Sequence, residues 1–344
     1  MKLKTLLMVV LFALISCGAK SKSIEATTQN DERPKWVDNP ASVYSDSKYL
    51  TAVGGGDTRT AAEDNARGNI SKIFQSDITV DHTLMINIQE TNTELSESMQ
   101  MVTNTNVKSN QTLKNIKIGE AWFSPNEGRY YVIAYLKRFE TSMIYQEEMD
   151  KNMGIAQTSY DQAGSHDKAF AKYAYLSKAS DALAVNNLLE SQLIIINPNS
   201  PYMEPENLRT NVGEELRKVR AKITCYVETE GELEDEISAS IREMLAMFMF
   251  PIVSSEAEAK LVFKATSSME HVTLNTAGYF YNYDVTIDLT DRLNGQTVET
   301  FNTRGREGHV DEVAARKRVG HSIGKKINKD YYKKLSQYIK SFAK

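Results

Sequence analysis

An unbroken apolar run occupies Leu6 to Ile15, preceded by Lys2 and Lys4 and closed by Leu14-Ile15-Ser16-Cys17. Ten residues cannot cross a hydrocarbon core of roughly 30 Å as a helix, so the run predicts the h-region of a secretory signal rather than a span. Residues 17–32 are small and polar, too poor in apolar side chains to order themselves, and are expected to be a flexible tether. Periodic patterning starts after that. Tyr49–Val53 reads as a strand that Gly54-Gly55-Gly56 breaks. Asp57 or Thr58 then caps a helix with Ala62, Ala66, Ile70, Ile73 and Phe74 on one face. At Ile78, Val80, His82, Leu84, Ile86 and Ile88 the period changes to two, predicting a long half-buried strand. The polar stretch 89–112 reads as a continuation of that strand or an extended hairpin. Trp122-Phe123 and Tyr130–Leu136 flank Ser124-Pro125-Asn126-Glu127-Gly128, a hairpin signal.

From Phe139 to Ile196 the pattern is helical, with Gly154 and Gly164 bracketing an expected break between helices, and Asn197–Pro201 ends it. A tetratricopeptide array is excluded, because one unit is visible and such repeats stand in groups of about three or more. The last segment predicts strand (Ile223–Val227), helix (Leu233–Phe248), three strands (Leu261–Ala265, Tyr279–Leu289, Thr297–Phe301) and a closing helix. That helix carries Val319, Ile323, Ile327, Tyr331, Leu335 and Ile339 at a strict spacing of four. The expected fold class is therefore α+β. Two small α/β sandwich-type domains (33–138 and 201–344) are joined by a helical connector (139–200), after a signal peptide (1–16) and a tether (17–32).

Cys17 sits where the bacterial lipobox places its cysteine, directly after Leu-Ile-Ser. That resemblance implies diacylglycerol on the Cys17 thiol, cleavage before it and acylation of the new amino terminus, with a membrane anchor as the result. Gly18 in place of Asp favours the outer membrane over retention in the inner one, with the body on the periplasmic side. Of the two cysteines, Cys225 would then have no partner, so no disulfide framework is expected; its place in Ile223-Thr224-Cys225-Tyr226-Val227 favours a small core residue over a nucleophile. The formal net charge of −4 becomes two units more negative once Lys2 and Lys4 are removed, which argues against a nucleic-acid binder.

Pro34-x-Trp36-Val37, the segment Tyr49-Leu50-x-x-Val53-Gly54-x-Gly56, the Ala-rich helix after it and Tyr130–Leu136 together resemble the LPP20 family of bacterial lipoproteins over about residues 33–140. The resemblance implies a small α+β envelope domain and no catalytic residues. The closing βαβββα order, with Leu289, Asp291 and Gly295, is similar to domains of envelope accessory lipoproteins related to the curli-pore and penicillin-binding-protein-activator group. A likeness of fold carries no function by itself.

Candidate chemistry is sparse. Gly54–Gly56 lacks the Gly-Lys-Ser/Thr of a phosphate loop, so a close strand–helix contact is favoured. His82, His166, His271, His309 and His321 are scattered with no metal-ligand spacing. Glu232 to Glu236 open a helix, where negative charge suits the macrodipole. Tyr279, Tyr281 and Tyr283 read as core more than as a binding surface. No hydrolase signature appears, and neither a cofactor nor a metal is called for. The one concentrated feature is the closing helix, basic at Arg316, Lys317, Arg318, Lys325, Lys326, Lys329, Lys333, Lys334, Lys340 and Lys344 inside an acidic chain. A solvated face explains it most simply; contact with an anionic partner, an acidic protein face or membrane head groups, is the sharper reading. The expected role is a lipid-anchored, non-enzymatic structural or assembly factor holding an envelope protein. The alternatives are a small-ligand or lipid-binding module and an unrecognised cell-wall hydrolase.

Overall fold

A computed structural model describes residues 32–75, 115–199, 202–205, 207–292 and 295–343. Cys17, the apolar run, His82, the expected strand at 78–88 and the polar stretch 89–112 lie outside the described residues. The chain is α+β, with two sheets and a pair of long helices between them.

The first sheet has the order β1-β3-β2, antiparallel throughout, with β1 Tyr49–Gly56, β2 Lys117–Ser124 and β3 Arg129–Lys137. A short helix α1 (Lys35–Asp38) buries Trp36 and Val37 against Ile133, with Tyr44, Val53, Trp122 and Tyr131 packed around them. The triple glycine does not break β1, contrary to expectation. Gly54, Gly55 and Gly56 pair with Val132, Tyr131 and Tyr130, and helix α2 (Arg59–Gln75) lies on the strand. A Cβ on Gly54 would come 2.1 Å from the Ala66 backbone nitrogen, and one on Gly56 2.6 Å from that of Ala62. Glycine is needed there so that helix and strand backbones can touch. Ala62, Ala66, Ile70 and Phe74 are fully buried beneath them.

Helix α3 runs unbroken from Arg138 to Gly164 and α4 (Ala169–Ile196) returns beside it, so the break expected between Gly154 and Gly164 falls directly after Gly164, and Gly154 lies inside α3. Gly154 is exposed and nothing lies within 4 Å of the Cβ it lacks, so it costs helix propensity without interrupting the ladder. Asn152 and Asn186, both fully buried, set the register of the pair. The Asn152 amide donates to the Asn186 side-chain carbonyl at 3.0 Å, and the Asn186 amide donates to the Met149 carbonyl at 3.0 Å. A helix absent from the sequence reading, α5 (Leu208–Arg220), follows, burying Leu208, Val212, Leu216 and Val219.

The second sheet has the order β4-β5-β6-β7 (Cys225–Gly231, Leu261–Val272, Tyr279–Asp291, Gln296–His309), with β4 parallel to β5 and the rest antiparallel. Helix α6 (Glu234–Phe248) makes the β4–β5 crossover. β5 and β7 are longer than expected, because their far ends are polar. In β7, the rings of Tyr283 and Phe280 on β6 fill the positions where side chains on Gly305 and Gly308 would stand. Helices cover one face, with Tyr281, Tyr283, Val285, Ile287 and Leu289 buried beneath them. On the other face, Ser268, Asn282, Asp284, Thr286, Arg304 and Arg306 are polar.

The closing segment comprises α7 (Glu312–Lys326), a π-helical turn (Ile327–Tyr331) and α8 (Tyr332–Lys340). In an α-helix a step of four residues overshoots a full turn by about 40°, so a strict four-residue repeat drifts off any fixed face. The wider π turn sets back part of that drift. Ala315, Val319, Ile323, Ile327, Tyr331, Leu335, Ile339 and Ala343 are consequently all buried.

Two cores form, one under each sheet, and the helical pair contributes to both: Tyr145 to Ala156 and Ala179 to Ile196 in the first, Ala163, Tyr173, Ala174 and Leu176 in the second. Polar contacts reinforce the joint. The Arg138 guanidinium donates to the carbonyls of Ile195 (2.9 Å) and Ile196 (2.7 Å), capping α4, and to that of Asp46 (2.7 Å). Lys340 on α8 reaches Asp181 on α4 at 2.9 Å, with side chains 19% and 15% exposed. Burial pushes the Asp181 carboxyl above its ordinary range, and Lys340 and Arg220 partly offset this.

Gly54→Ala is expected to lose about 3 kcal/mol in urea unfolding, since backbone must move to admit the methyl. Gly154→Ala should gain about 0.5–1 kcal/mol in the same assay. Lys340→Met should cost about 3 kcal/mol at pH 8, because it leaves a mostly buried carboxylate without its cation. In that variant the Asp181 carboxyl rises further above its unfolded value, so stability falls as pH rises through its range. The deficit should therefore shrink on going from pH 8 to pH 4, and urea unfolding at both values checks this.

Candidate functional site

The basic closing helix is the only sequence-nominated site within the described residues, and its four-residue repeat sorts its side chains onto four faces. The first is the buried apolar stripe. The second, Arg316, Gly320, Gly324 and Asn328, packs along α6. Arg316 pairs with Glu232 at 2.8 Å and lies 5.7 Å over the Tyr281 ring. The Cβ missing from Gly324 would stand 2.9 Å from the Ser240 hydroxyl, and the Asn328 amide donates to Glu243 at 2.7 Å. Glu232, at the head of α6, is therefore one half of a structural ion pair.

The third face meets the outer edge of β7. Arg318 Nη1 donates to the Gly308 carbonyl at 3.0 Å, Lys326 Nζ to that of Arg304 at 3.0 Å, and Lys334 Nζ to that of Thr300 at 2.6 Å. Lys334 also pairs with Glu299 at 2.5 Å, and the Glu299 carboxylate accepts the Thr300 backbone N–H at 3.2 Å. Lys326 lies 5.2 Å over the Tyr283 ring. Arg316, Arg318, Lys326 and Lys334, among the eight nominated cations, are thus held by α6 and by the β7 edge.

The fourth face holds Lys317, His321, Lys325, Lys329 and Lys333, every one exposed and four residues from the next. Among the described residues, Lys317, Lys325 and Lys329 carry no ion pair. The row is about 24 Å long at 1.5 Å per residue. Its positive field stands on a chain of net negative charge. The helix faces, and the edge contacts that occupy three of its cations, were missed in the sequence. The signal was present in the shared spacing of four, but the partner carbonyls belong to a strand whose length was underestimated.

The remaining candidates have structural surroundings. Cys225 opens β4, fully buried, and burial pushes its thiol up to about 12, which keeps it protonated and unreactive. Tyr281 and Tyr283 are core residues, while Tyr279 is 40% exposed. Tyr281 donates to Glu312 at 2.9 Å, and that bond, with burial, raises its hydroxyl. His166 stacks on Tyr175 at 5.1 Å, His271 lies edge-on to Tyr281 at 5.4 Å, and His309 Nδ1 accepts from the Asp311 backbone N–H at 3.1 Å. Among the described residues no three His, Cys, Asp or Glu side chains converge to hold a metal ion. An open groove of about 490 Å³ crosses the polar sheet face between Glu270, Asn282, Asp284, Arg304 and Arg306. Within it Arg304 pairs with Asp284 at 3.4 Å, and Arg306 Nε donates to the Asn282 side-chain carbonyl at 2.7 Å. No helix among the described residues is long and apolar enough to cross a membrane.

No curated protein matches the chain. Solved structures similar to it include a secreted protein of Helicobacter pylori (15% identity, 84% of this chain and 97% of that one, TM-score 0.39). A minor lipoprotein of Acinetobacter baumannii (13%, 35% and 92%, 0.25) and a lipoprotein of Neisseria meningitidis (11%, 30% and 98%, 0.22) are also similar. A family model, by contrast, matches the three-stranded domain from end to end. The Trp36–Val37 entry, the glycine strand under α2 and the β2–β3 hairpin all fall inside that match, which is to the LPP20 lipoprotein family over residues 34–137.

Proposed function

We propose that this lipoprotein is a non-enzymatic accessory factor of the cell envelope, held by lipid on Cys17 at the periplasmic side of the outer membrane, which docks an acidic protein partner along the Lys317–Lys333 row. The observation that carries the reading is the row itself. It is a row of exposed side chains, four of them lysines, on a helix whose other faces meet the core, α6 and the β7 edge. Opposite charge across such a surface governs partner choice and encounter rate more than affinity. An acidic protein face is favoured over lipid head groups because the helix's apolar stripe lies in the core. It is therefore not available to enter the acyl boundary, as membrane-surface helices require.

The test is affinity capture of the tagged chain from detergent-solubilised envelopes, with Cys17→Ser and Lys317→Glu/Lys325→Glu/Lys329→Glu forms alongside. A stoichiometric acidic partner is expected with wild type, at least tenfold depleted by charge reversal and released at 0.5 M salt. Cys17→Ser should lose it through mislocalisation. A partner set unchanged by charge reversal refutes the row as the docking surface. Cosedimentation of wild type, but not the reversed form, with anionic vesicles would assign it to lipid instead.

A further inference from the structure

β7 is the outer strand of its sheet and is 14 residues long, and among the described residues no strand pairs with its far side. A long unpaired edge is a template for another strand, and sheet proteins block such edges with charges, prolines, bulges or covers. β7 has no proline, and its register irregularity lies near its start, at Thr297–Glu299; the rest of its edge is met by charge. Three cations spaced eight residues apart on the closing helix, Arg318, Lys326 and Lys334, donate to three carbonyls spaced four apart on the strand, those of Gly308, Arg304 and Thr300.

The two spacings match in length. Eight helical residues rise about 12 Å, and four strand residues about 14 Å. Because the residue numbers run in opposite senses, the helix lies antiparallel to the strand, and the long flexible side chains absorb the remaining difference. At Thr300 the closure is complete: its carbonyl takes Lys334 and its N–H takes the Glu299 carboxylate, which Lys334 also holds. These contacts also show which way the edge faces. Thr300 and Arg304 present their carbonyls outward, so by the alternation of the antiparallel ladder Asn302, between them, presents its N–H outward as well.

We infer that Arg318, Lys326 and Lys334 lock the β7 edge against strand addition by a second copy of this chain. This role is separate from that of the solvent-facing row: among the described residues, Lys317, Lys325 and Lys329 touch no β7 carbonyl. A cation at a carbonyl occupies the acceptor that an incoming strand would need, and it places a charged side chain where that strand would lie.

The test compares the full wild-type chain in detergent with Arg318→Gln/Lys326→Gln/Lys334→Gln by sedimentation equilibrium from about 1 to 100 μM. Wild type should stay monomeric, and the variant should dimerise or form larger species across that range. Lys317→Gln/Lys325→Gln/Lys329→Gln loses the same charge without touching the edge, and should match wild type. Adding Asn302→Pro to the edge variant removes an outward N–H while sparing the ladder to β6, and should restore the monomer. Lys326→Arg/Lys334→Arg keeps donors at the edge and should remain monomeric, which covers the case of an unfolded Gln variant. The proposal fails if the edge variant is folded and monomeric throughout, if the charge-matched control associates equally, if the Arg form associates, or if Asn302→Pro leaves association unchanged.

Discussion

A repeat of four residues on a helix that turns every 3.6 is the constraint around which the carboxyl-terminal half is arranged. Left as a plain α-helix, the stripe from Ala315 to Ala343 would wind well away from the sheet it begins on. The π turn at Ile327–Tyr331 holds enough of it in phase to keep every member buried, and the residual rotation carries α8 off the sheet and onto α4. Tyr331 lies within this turn, stacked 4.9 Å from Phe301, and burial holds its hydroxyl well above the usual tyrosine range. Once the apolar stripe is placed, the other three faces have no freedom: one meets α6, one meets the β7 edge, and one meets water.

The same segment joins the two halves of the molecule. The long helical pair supplies apolar side chains to both cores, while the Asn152–Asn186 exchange fixes how its helices align. Buried amides of this kind lose their partners if the register slips, so they specify one alignment where an all-apolar seam would tolerate several. Arg138 then attaches the first sheet to one end of that pair, and the Asp181–Lys340 pair attaches the last helix to the middle of α4. Missing side chains matter as much. Gly54 and Gly56 admit the backbone of α2, and Gly305 and Gly308 admit the rings of Tyr283 and Phe280, so four glycines hold together close packing.

For function, the division of one basic helix into cations that meet α6 or the β7 edge and cations on an exposed row is the informative result. Counting charge made Arg316 to Lys334 a single patch; geometry divides it into an ion pair with α6, three edge contacts and an exposed row. In the groove of the polar sheet face, Arg304 and Arg306 are held by Asp284 and Asn282. The amino-terminal domain matches the LPP20 lipoprotein family over residues 34–137. The row on the closing helix therefore offers the clearest surface for a partner.

Sequence periodicity by itself determined the α+β class, the α2 face, the β2–β3 hairpin, the long helices and the βαβββα order, because burial on one face imposes a period of two or 3.6 that survives in the residue pattern. The Pro34–Trp36 entry and the glycine strand likewise identified the LPP20-type domain. Only the tertiary structure decided that the glycines of β1 continue the strand, that α3 passes through Gly154, and that β7 extends to His309. In each case a neighbour distant in sequence supplies the contact that local propensity counts against. The helix cations follow the same rule. Their number and spacing are written in the chain, but whether a lysine faces water or a strand carbonyl depends on where that strand lies, and no local pattern encodes it.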